Sequence, residues 1–322
     1  MIWVGWRQQR TETLIAAAAL ALLAAVAIPV GVHMASVYTH EGLSACSGNV
    51  QPGSACGVDV PTFLARFNVL NVLFTFATLL PPLAALLLAA PFVLDLDNGT
   101  YRLFWTQSIT RRRWIVTKLG MSVGGVVLVV LLLSVLASWS LGPLDHFNGR
   151  MGTNSYDAEG IVPIAYALFT LGFAVALGAV WRRAVPALLS AFAVYVVARA
   201  FMDSWLRQRL VSAVTTTWAV GGAGRSSGPR LDRALVIDQF ASDRSGHPLS
   251  GVHGLCARAS GGIVHTRVVG PCSPLHLHGF MTATYIPASR FWGLQTIEFG
   301  LVAGIGALLI LAAGWWTHNR IA

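Results

Sequence analysis

Charged residues are scarce in this chain, and lysine is almost missing from it. Only 11% of the 322 residues are charged, whereas 55% are hydrophobic. A soluble domain of this length needs much more charge to cover its surface. The composition therefore excludes an ordinary soluble protein and predicts an all-α polytopic membrane protein. Lys118 is the one lysine, and the net charge of +9 has to be interpreted by where the arginines fall.

The single lysine also excludes one kind of nucleotide site. A P-loop requires the pattern G-x-x-x-x-G-K-[ST], but Lys118 lies between Thr117 and Leu119. The chain therefore lacks that route to ATP, and we expect no cofactor on it. An intramembrane enzyme would need catalytic side chains at membrane depth. The apolar runs contain serines, His33 near one end and no lysine base, so an enzyme is not expected.

Six apolar runs are long enough to cross a bilayer, which takes about 20 residues. They predict spans at about 14–37, 69–94, 119–141, 161–181, 185–205 and 291–316 of a single transmembrane domain, residues 1–322. The first run is too long for the apolar part of a signal peptide, so we interpret it as a retained span. Arginines concentrate in the short segments on the side of both termini, which predicts cytoplasmic N- and C-termini. The segment 206–290 is then a large extracytoplasmic lid, and its Gly, Ser, Arg and His residues predict little regular structure.

In this topology all four cysteines lie outside the cytoplasm. Cys46 and Cys56 share the first external loop, and Cys256 and Cys272 share the lid. Two pairs in an oxidising compartment suggest the local disulfides Cys46–Cys56 and Cys256–Cys272, with free thiols as the alternative. The lid also contains a His-x-His pair. Since zinc sites take three or four ligands in fixed geometry, we predict no metal site.

The segment 95–118 is strongly basic and lies between the second and third spans, in the predicted cytoplasm. It combines a run of three arginines with three aromatic residues that precede the run, Tyr101, Phe104 and Trp105. Aromatic and arginine side chains are those that protein interfaces favour as hot spots. Positive charge here also serves topology, but topology does not require an extended segment with three aromatic residues. We therefore predict that this segment docks on a cytoplasmic partner.

The run from Asn98 to Trp114, NGTYRLFWTQSITRRRW, closely resembles the first cytoplasmic loop of ABC-2 type ABC transporter permeases, the actinobacterial ones in particular. The stretch from Pro287 to Glu298, PASRFWGLQTIE, resembles the start of the last span in the same family. The layout of spans and loops is similar over nearly the whole chain. Asn98 departs from the family pattern, in which a Glu- or His-like residue is expected before the Gly-Thr.

The resemblance implies the permease subunit of an ATP-driven exporter in the cell (plasma) membrane. Its partners would be a cytoplasmic ABC ATPase, which binds Mg-ATP, and a second permease copy in a homodimer or heterodimer, surrounded by membrane lipid. The cargo would be a small amphipathic or hydrophobic compound (a drug, a peptide or a lipid), as in multidrug efflux, and no nucleic acid is implied. The residues that the resemblance places against the ATPase are Asn98, Gly99, Thr100, Tyr101, Arg102, Phe104, Trp105, Gln107, Arg111, Arg112, Arg113, Arg182 and Arg183.

A polar stripe runs along the predicted second span. Asn68, Asn71, Thr75 and Thr78 recur at helical spacing, with Phe74 beside them. In the resembled family the second span lines the central path, so these residues are candidates for contact with cargo. The alternative is that the Asn and Thr side chains hydrogen-bond neighbouring helices or their own backbone.

Two charged residues fall inside predicted spans, Arg199 in the fifth and Glu298 in the sixth. Charges at membrane depth need a partner, and the similar depth of these two predicts an Arg199–Glu298 ion pair. Asp203 is a competing partner for Arg199. We favour a structural pair over a gate or proton relay.

One alternative function from another class is a membrane sensor, whose lid binds a ligand and whose basic loop signals inward. A permease of this type has to bring down a P-loop ATPase on purification, whereas a sensor does not.

Overall fold

The structure, a computed structural model, describes residues 2–46, 55–101, 110–220, 228–229, 231, 233–248 and 279–320. It is mostly helical, at 78%. Six helical stretches are long and apolar enough to cross a membrane: Arg10–His40, Asn68–Asp97, Arg111–Asn148, Val162–Trp181, Ala184–Leu210 and Ala288–Arg320. Each predicted span overlaps one of them, and the predicted all-α polytopic class with six spans is confirmed.

The helices of the described part are numbered in chain order. They are α1 (Ile2–His40), α2 (Ala55–Arg66), α3 (Asn68–Ala77), α4 (Leu80–Asp97), α5 (Arg111–Asn148), α6 (Thr153–Ala158), α7 (Val162–Trp181), α8 (Ala184–Phe201), α9 (Arg207–Leu210) and α10 (Phe291–Arg320). A π-helical segment, Met202–Leu206, joins α8 to α9. Short 3₁₀ turns occupy Leu43–Ala45 and Ala288–Arg290.

The second span is broken rather than continuous. α3 ends at Ala77 and α4 begins at Leu80, because Pro81 and Pro82 have no backbone N–H to continue the hydrogen-bond ladder. The carbonyl of Thr78, four residues before Pro82, loses its usual helical donor. The hydroxyl of Tyr195, from α8, lies 3.5 Å from that carbonyl oxygen and donates to it. The break is therefore supported by the fifth span.

The central helix is α7, which is apolar around its whole circumference and is enclosed by α4, α5, α8 and α10. Its contact with α10 is close enough for the two backbones to touch. A Cβ atom on Gly172 would lie 2.6 Å from the carbonyl oxygen of Gly306. Gln295 of α10 also accepts the N–H of Ile161 at 2.8 Å, which satisfies one of the free donors at the start of α7.

The segment between α9 and α10 contains a three-stranded antiparallel sheet, so the expectation of a lid with little regular structure is wrong. The strands are β1 (Val214–Val220), β2 (Leu235–Ser242) and β3 (Gly279–Ile286), in the order β1-β3-β2. They are rich in β-branched and aromatic residues, as strands usually are. We call the end of the bundle next to this sheet the sheet end, and the opposite end, where α4 ends and α5 begins, the loop end.

The predicted Cys46–Cys56 disulfide is present, with a Cα–Cα distance of 5.6 Å. It joins the chain just after α1 to the start of α2. The predicted Cys256–Cys272 bond and the His-x-His pair lie outside the described residues.

Removing the Cys46–Cys56 bond should lower the free energy of unfolding by about 2–3 kcal/mol, because the closed loop spans only about ten residues. The measurement is the unfolding temperature of the purified protein in a mild detergent. The double variant Cys46→Ser/Cys56→Ser should unfold at a lower temperature than the native protein. Equal unfolding temperatures would contradict a stabilising role.

Candidate functional site

At the loop end, the only lysine of the chain is buried in an ion pair. Lys118 Nζ lies 2.7 Å from Asp95 Oδ2, and the lysine is only 3% exposed. The hydroxyl of Thr100 donates to the other oxygen of Asp95 at 2.9 Å. Gly99 adopts a left-handed φ of 70°, which a residue with a Cβ atom rarely takes, and so reverses the chain after α4. Asp95 thus joins α4, the start of the loop and α5.

A second aspartate at the end of α4 reaches a different helix. Asp97 Oδ2 accepts the backbone N–H of Ala184, the first residue of α8, at 2.9 Å. A negative charge at a helix N-terminus is stabilised by the free N–H groups and by the helix dipole. Arg182 and Arg183 form the tight turn just before α8, with Arg182 in the left-handed conformation at φ 53°. Asp97 therefore ties the first loop to the α7–α8 turn.

The predicted ATPase contacts fall into different environments. Asn98, Gly99 and Thr100 form the turn after α4, with Asn98 exposed as its C-terminal capping residue. Arg102, Phe104, Trp105 and Gln107 lie outside the described residues. Exposed arginines that share the loop end are Arg111, Arg112, Arg113, Arg182 and Arg183.

Tyr101 is the exception among the described contacts. Its side chain is 2% exposed and belongs to the same buried cluster as Phe92 and Trp114, whose rings stack at 5.6 Å. The turn at Gly99 folds Tyr101 back onto the bundle. Its side chain thus packs inside the bundle in this arrangement, and a contact of Tyr101 with a partner stays a prediction.

At the sheet end, a group of buried and partly buried charged and hydroxyl side chains joins four helical elements. We call it the charge cluster. Its members come from α6, α7, α8 with the following π and α9 segments, and α10. They are Tyr156, Asp157, Tyr166, Arg199, Asp203, Arg207 and Glu298.

Arg207 is the centre of the charge cluster. Its guanidinium binds Glu298 through two hydrogen bonds, Nε to Oε2 at 3.1 Å and Nη2 to Oε1 at 3.0 Å. It also reaches Asp157 Oδ1 at 2.9 Å and Asp203 Oδ1 at 2.7 Å. The hydroxyls of Tyr156 and Tyr166 donate to Glu298 at 3.0 and 2.9 Å. A fully buried glutamate is thereby stabilised by four donor contacts.

The predicted Arg199–Glu298 pair is replaced by a different pairing. Glu298 is bound by Arg207, whereas Arg199 pairs with Asp157 and with Asp203, the latter at 3.0 Å. Asp203, which was predicted as the alternative partner of Arg199, does bind it. Arg207 escaped the prediction because it follows the predicted end of the fifth span. The spacing of Arg199, Asp203 and Arg207 by four residues is the signal that could have found it.

Asp145 and Glu159 form a carboxyl pair close to the charge cluster. Glu159 lies between the membrane-spanning stretches that end at Asn148 and begin at Val162. The pKa of Glu159 is raised to about 9, mainly by burial; a hydrogen bond to Asp145 and the charge of that residue contribute to the rise, and the charge of Arg150 opposes it. Arg150 Nε lies 3.3 Å from Glu159 Oε2 and 3.6 Å from Asp145 Oδ2. The raised pKa favours the protonated form of Glu159 at neutral pH. Sequence reasoning gave no signal for this pair.

Two of the four polar side chains in the stripe of the second span bond to the backbone of their own span. Thr75 donates to the carbonyl of Asn71 at 2.7 Å, and Thr78 donates to that of Thr75 at 2.6 Å. Asn68 and Thr75 are exposed on the described chain, so this face is open. Phe74 does not share it, because its side chain is buried in the bundle at 1% exposure. A contact of Phe74 with cargo stays a prediction.

These observations define a multi-pass helical membrane protein whose loop end carries exposed arginines at the start of α5 and in the α7–α8 turn. The family model described as ABC-2 membrane transporter related matches residues 17–207, more than half of the chain. The chain belongs to this family, and it is a permease component located as a multi-pass protein of the plasma membrane. No curated protein and no solved structure matches the chain.

Proposed function

We propose that this permease is the membrane half of an ATP-driven exporter and that a separate cytoplasmic ABC ATPase docks at the loop end. The observation that carries the proposal is the double attachment of the loop base. Asp95 connects it to Lys118 of α5, and Asp97 connects it to Ala184 of α8. A push on the segment 98–110 is thereby delivered to three spans at once.

The exposed arginines supply the docking surface. Five of them share the loop end, three in the first turn of α5 and two in the α7–α8 turn. A cluster of arginines favours a partner surface with carboxylates, since arginine is a frequent hot-spot residue and complementary charge speeds association. ATP would be bound and hydrolysed on that partner, because Lys118 does not belong to a P-loop.

The transport step requires two arrangements of the spans with different affinities for the cargo. In one arrangement the path would open to the cytoplasm or the inner leaflet, and in the other to the outside. The charge cluster joins α6, α7, α8–α9 and α10, so these elements would move as a unit. A second permease copy would complete the path, with the open Asn68–Thr75 face of the second span toward it. The cargo class that fits the family is a small amphipathic or hydrophobic compound.

The test is affinity purification of the chain from native membranes, followed by identification of a P-loop ATPase among the proteins that come with it. Its ATPase activity should respond to the permease. A sensor would bring down no such ATPase, and that outcome would overturn the proposal.

The coupling role of Asp97 gives a sharper prediction. Asp97→Ala should keep the ATPase bound but reduce permease-dependent ATPase stimulation and transport about tenfold, because a hydrogen bond to a charged acceptor is lost between loop and α8. Asp97→Asn keeps an acceptor oxygen and should retain most of the activity. The matched control is Asp59→Ala, which removes an exposed aspartate of α2 at the sheet end. Equal coupling in Asp97→Ala and the native protein would contradict the role.

A further inference from the structure

An apolar groove opens on the outer surface of the bundle between α1, α4 and α5. It has a volume of about 190 Å³. Its lining includes Ala16 and Leu20 of α1, Leu83 and Leu87 of α4, and Val130 of α5. The rest of the lining is also aliphatic, so the groove offers an occupant no hydrogen bond. Since all three helices belong to membrane-spanning stretches, the groove lies at membrane depth.

A carboxylate lies one helical turn before the groove-lining residues of α1, although it does not line the groove itself. Glu12 precedes Ile15 and Ala16 by three and four residues, so it lies on the same face of α1 as the lining residues. Its Oε2 is buried and has no hydrogen-bond partner in the part of the chain that the structure describes. Arg10 lies about 200° away around the helix, on another face. A carboxylate oxygen that is removed from water without a partner is costly and calls for a ligand.

We propose that the groove and Glu12 form a binding site for an amphipathic cation. The aliphatic lining would take its alkyl or aryl part, and Glu12 would bind its ammonium group. An anionic amphiphile is disfavoured by the charge of Glu12, and a neutral hydrocarbon would leave the buried oxygen without a donor. Charge complementarity and an apolar wall together select this class of ligand.

The position of Glu12 sets the orientation of the ligand. The residue lies at the start of the first span, toward the loop end. In the predicted topology the ammonium group would therefore sit at the inner membrane surface, with the apolar part directed toward the bilayer centre. The proposal that the groove binds a ligand rests only on the lining residues and Glu12. Its role as the place where exported cargo enters rests on the proposed function.

The first experiment is a binding titration on the full chain in a neutral maltoside detergent. The probe is a fluorescent alkylammonium, and its comparison compound is an alkylsulfonate with the same fluorophore and chain. The native protein should bind the ammonium and bind the sulfonate at least tenfold more weakly. Glu12→Gln should weaken ammonium binding about tenfold, since one charge interaction is lost. Glu41→Gln, which changes an exposed glutamate near the far end of α1, should have no effect.

A second pair of variants tests the groove without touching the charge. Ala19 lines the groove and is exposed, so Ala19→Phe should fill the groove and weaken binding without disturbing the core. Ala18 is also exposed but does not line the groove, and Ala18→Phe should bind as the native protein does. Equal binding by native protein, Glu12→Gln and Ala19→Phe would overturn the site.

The same amine chemistry is found in membrane lipids and in transported compounds, and competition separates the two sources. Displacement of the probe by phosphatidylethanolamine but not by phosphatidylglycerol would support the site with a resident lipid as its ligand. No displacement by either lipid would support it with a transported cation. The proposed function fails separately, if no ATPase is recovered from a native protein that still binds the probe.

Discussion

Replacing Arg207 by methionine should lower the free energy of unfolding by about 3–5 kcal/mol, the largest effect of any substitution considered for this protein. The side chain of Arg207 is 5% exposed and holds Glu298 and Asp157, whose side chains are almost completely buried. Methionine has a similar length but no charge, so both carboxylates would lose their shared partner. Removing one member of a buried ionic group is far more damaging than removing all of them, because the remaining charges stay in a low-dielectric interior.

The measurement is thermal unfolding in detergent together with the yield of protein in the membrane. Arg209→Met is the matched control. Arg209 follows two residues later, is exposed, and stacks on the ring of Trp205 at 4.1 Å, so its loss should change stability by less than about 0.5 kcal/mol. If Arg207→Met fails to accumulate, the double variant Arg207→Met/Glu298→Gln restores a measurable protein, since the neutral amide oxygen still accepts from one of Tyr156 and Tyr166 and the amide NH2 can donate to the hydroxyl oxygen of the other. Equal unfolding temperatures for the Arg207 and Arg209 variants would refute the role of the charge cluster.

The charge cluster also shows why sequence reasoning placed Arg199 and Glu298 together but paired them wrongly. Hydropathy gives the depth of a residue within a span, and both residues lie near the sheet end. It does not give the direction in which a side chain points around its helix. That direction is altered by the π segment Met202–Leu206, which inserts wider turns between Arg199 and Arg207.

Long apolar runs were the most predictable part of the fold. Each of the six is explained by length and composition alone, which is why the membrane class and the number of spans follow from the sequence. The Cys46–Cys56 bond was predictable because both cysteines fall in one short loop. These features depend on local sequence or on short separations.

Features that depend on distant contacts were not predictable in the same way. Thr215 of β1 pairs with Thr284 of β3, and most of the lid separates the two residues in the sequence. An alternation of side-chain types along a segment can indicate a strand, but it does not indicate which strand pairs with it. Tyr101 resembled an interface residue by type, yet the left-handed turn at Gly99 folds it inward. Asp95 and Asp97 lie two residues apart at the end of α4 but bind different helices, Lys118 of α5 and Ala184 of α8. The sequence around the two aspartates does not indicate which helix each of them reaches.

The two ends of the bundle differ in a way that suits a permease. At the sheet end, bonds among buried charges join several helices and resist separation. At the loop end, single contacts connect the loop to individual helices, through Asp95 to α5 and through Asp97 to α8. Force applied at the loop end would therefore change the positions of α4, α5 and α8 there, while the charge cluster keeps the opposite ends together.

The ion pair at the loop end leads to the second large effect. Lys118→Met should lower the free energy of unfolding by about 3 kcal/mol, because Asp95, with its side chain 15% exposed, would keep its charge without its cation. The double variant Lys118→Met/Asp95→Asn should recover most of that loss, since no buried charge remains and the amide oxygen still accepts from Thr100. Thermal unfolding of the two single variants and the double variant forms a thermodynamic cycle, in which a coupling of about 2 kcal/mol is expected.

Arg112→Met is the control for this cycle, because it also removes a positive charge from α5, but from an exposed position. It should leave the unfolding temperature unchanged. The cycle also separates the stability of the loop base from its coupling role. A double variant that recovers stability but not ATPase stimulation would show that the charge pair transmits force, whereas recovery of both would assign the transmission to the hydrogen bond of Asp97. Zero coupling between Lys118 and Asp95 would mean that the loop is held by Tyr101 and its apolar neighbours instead.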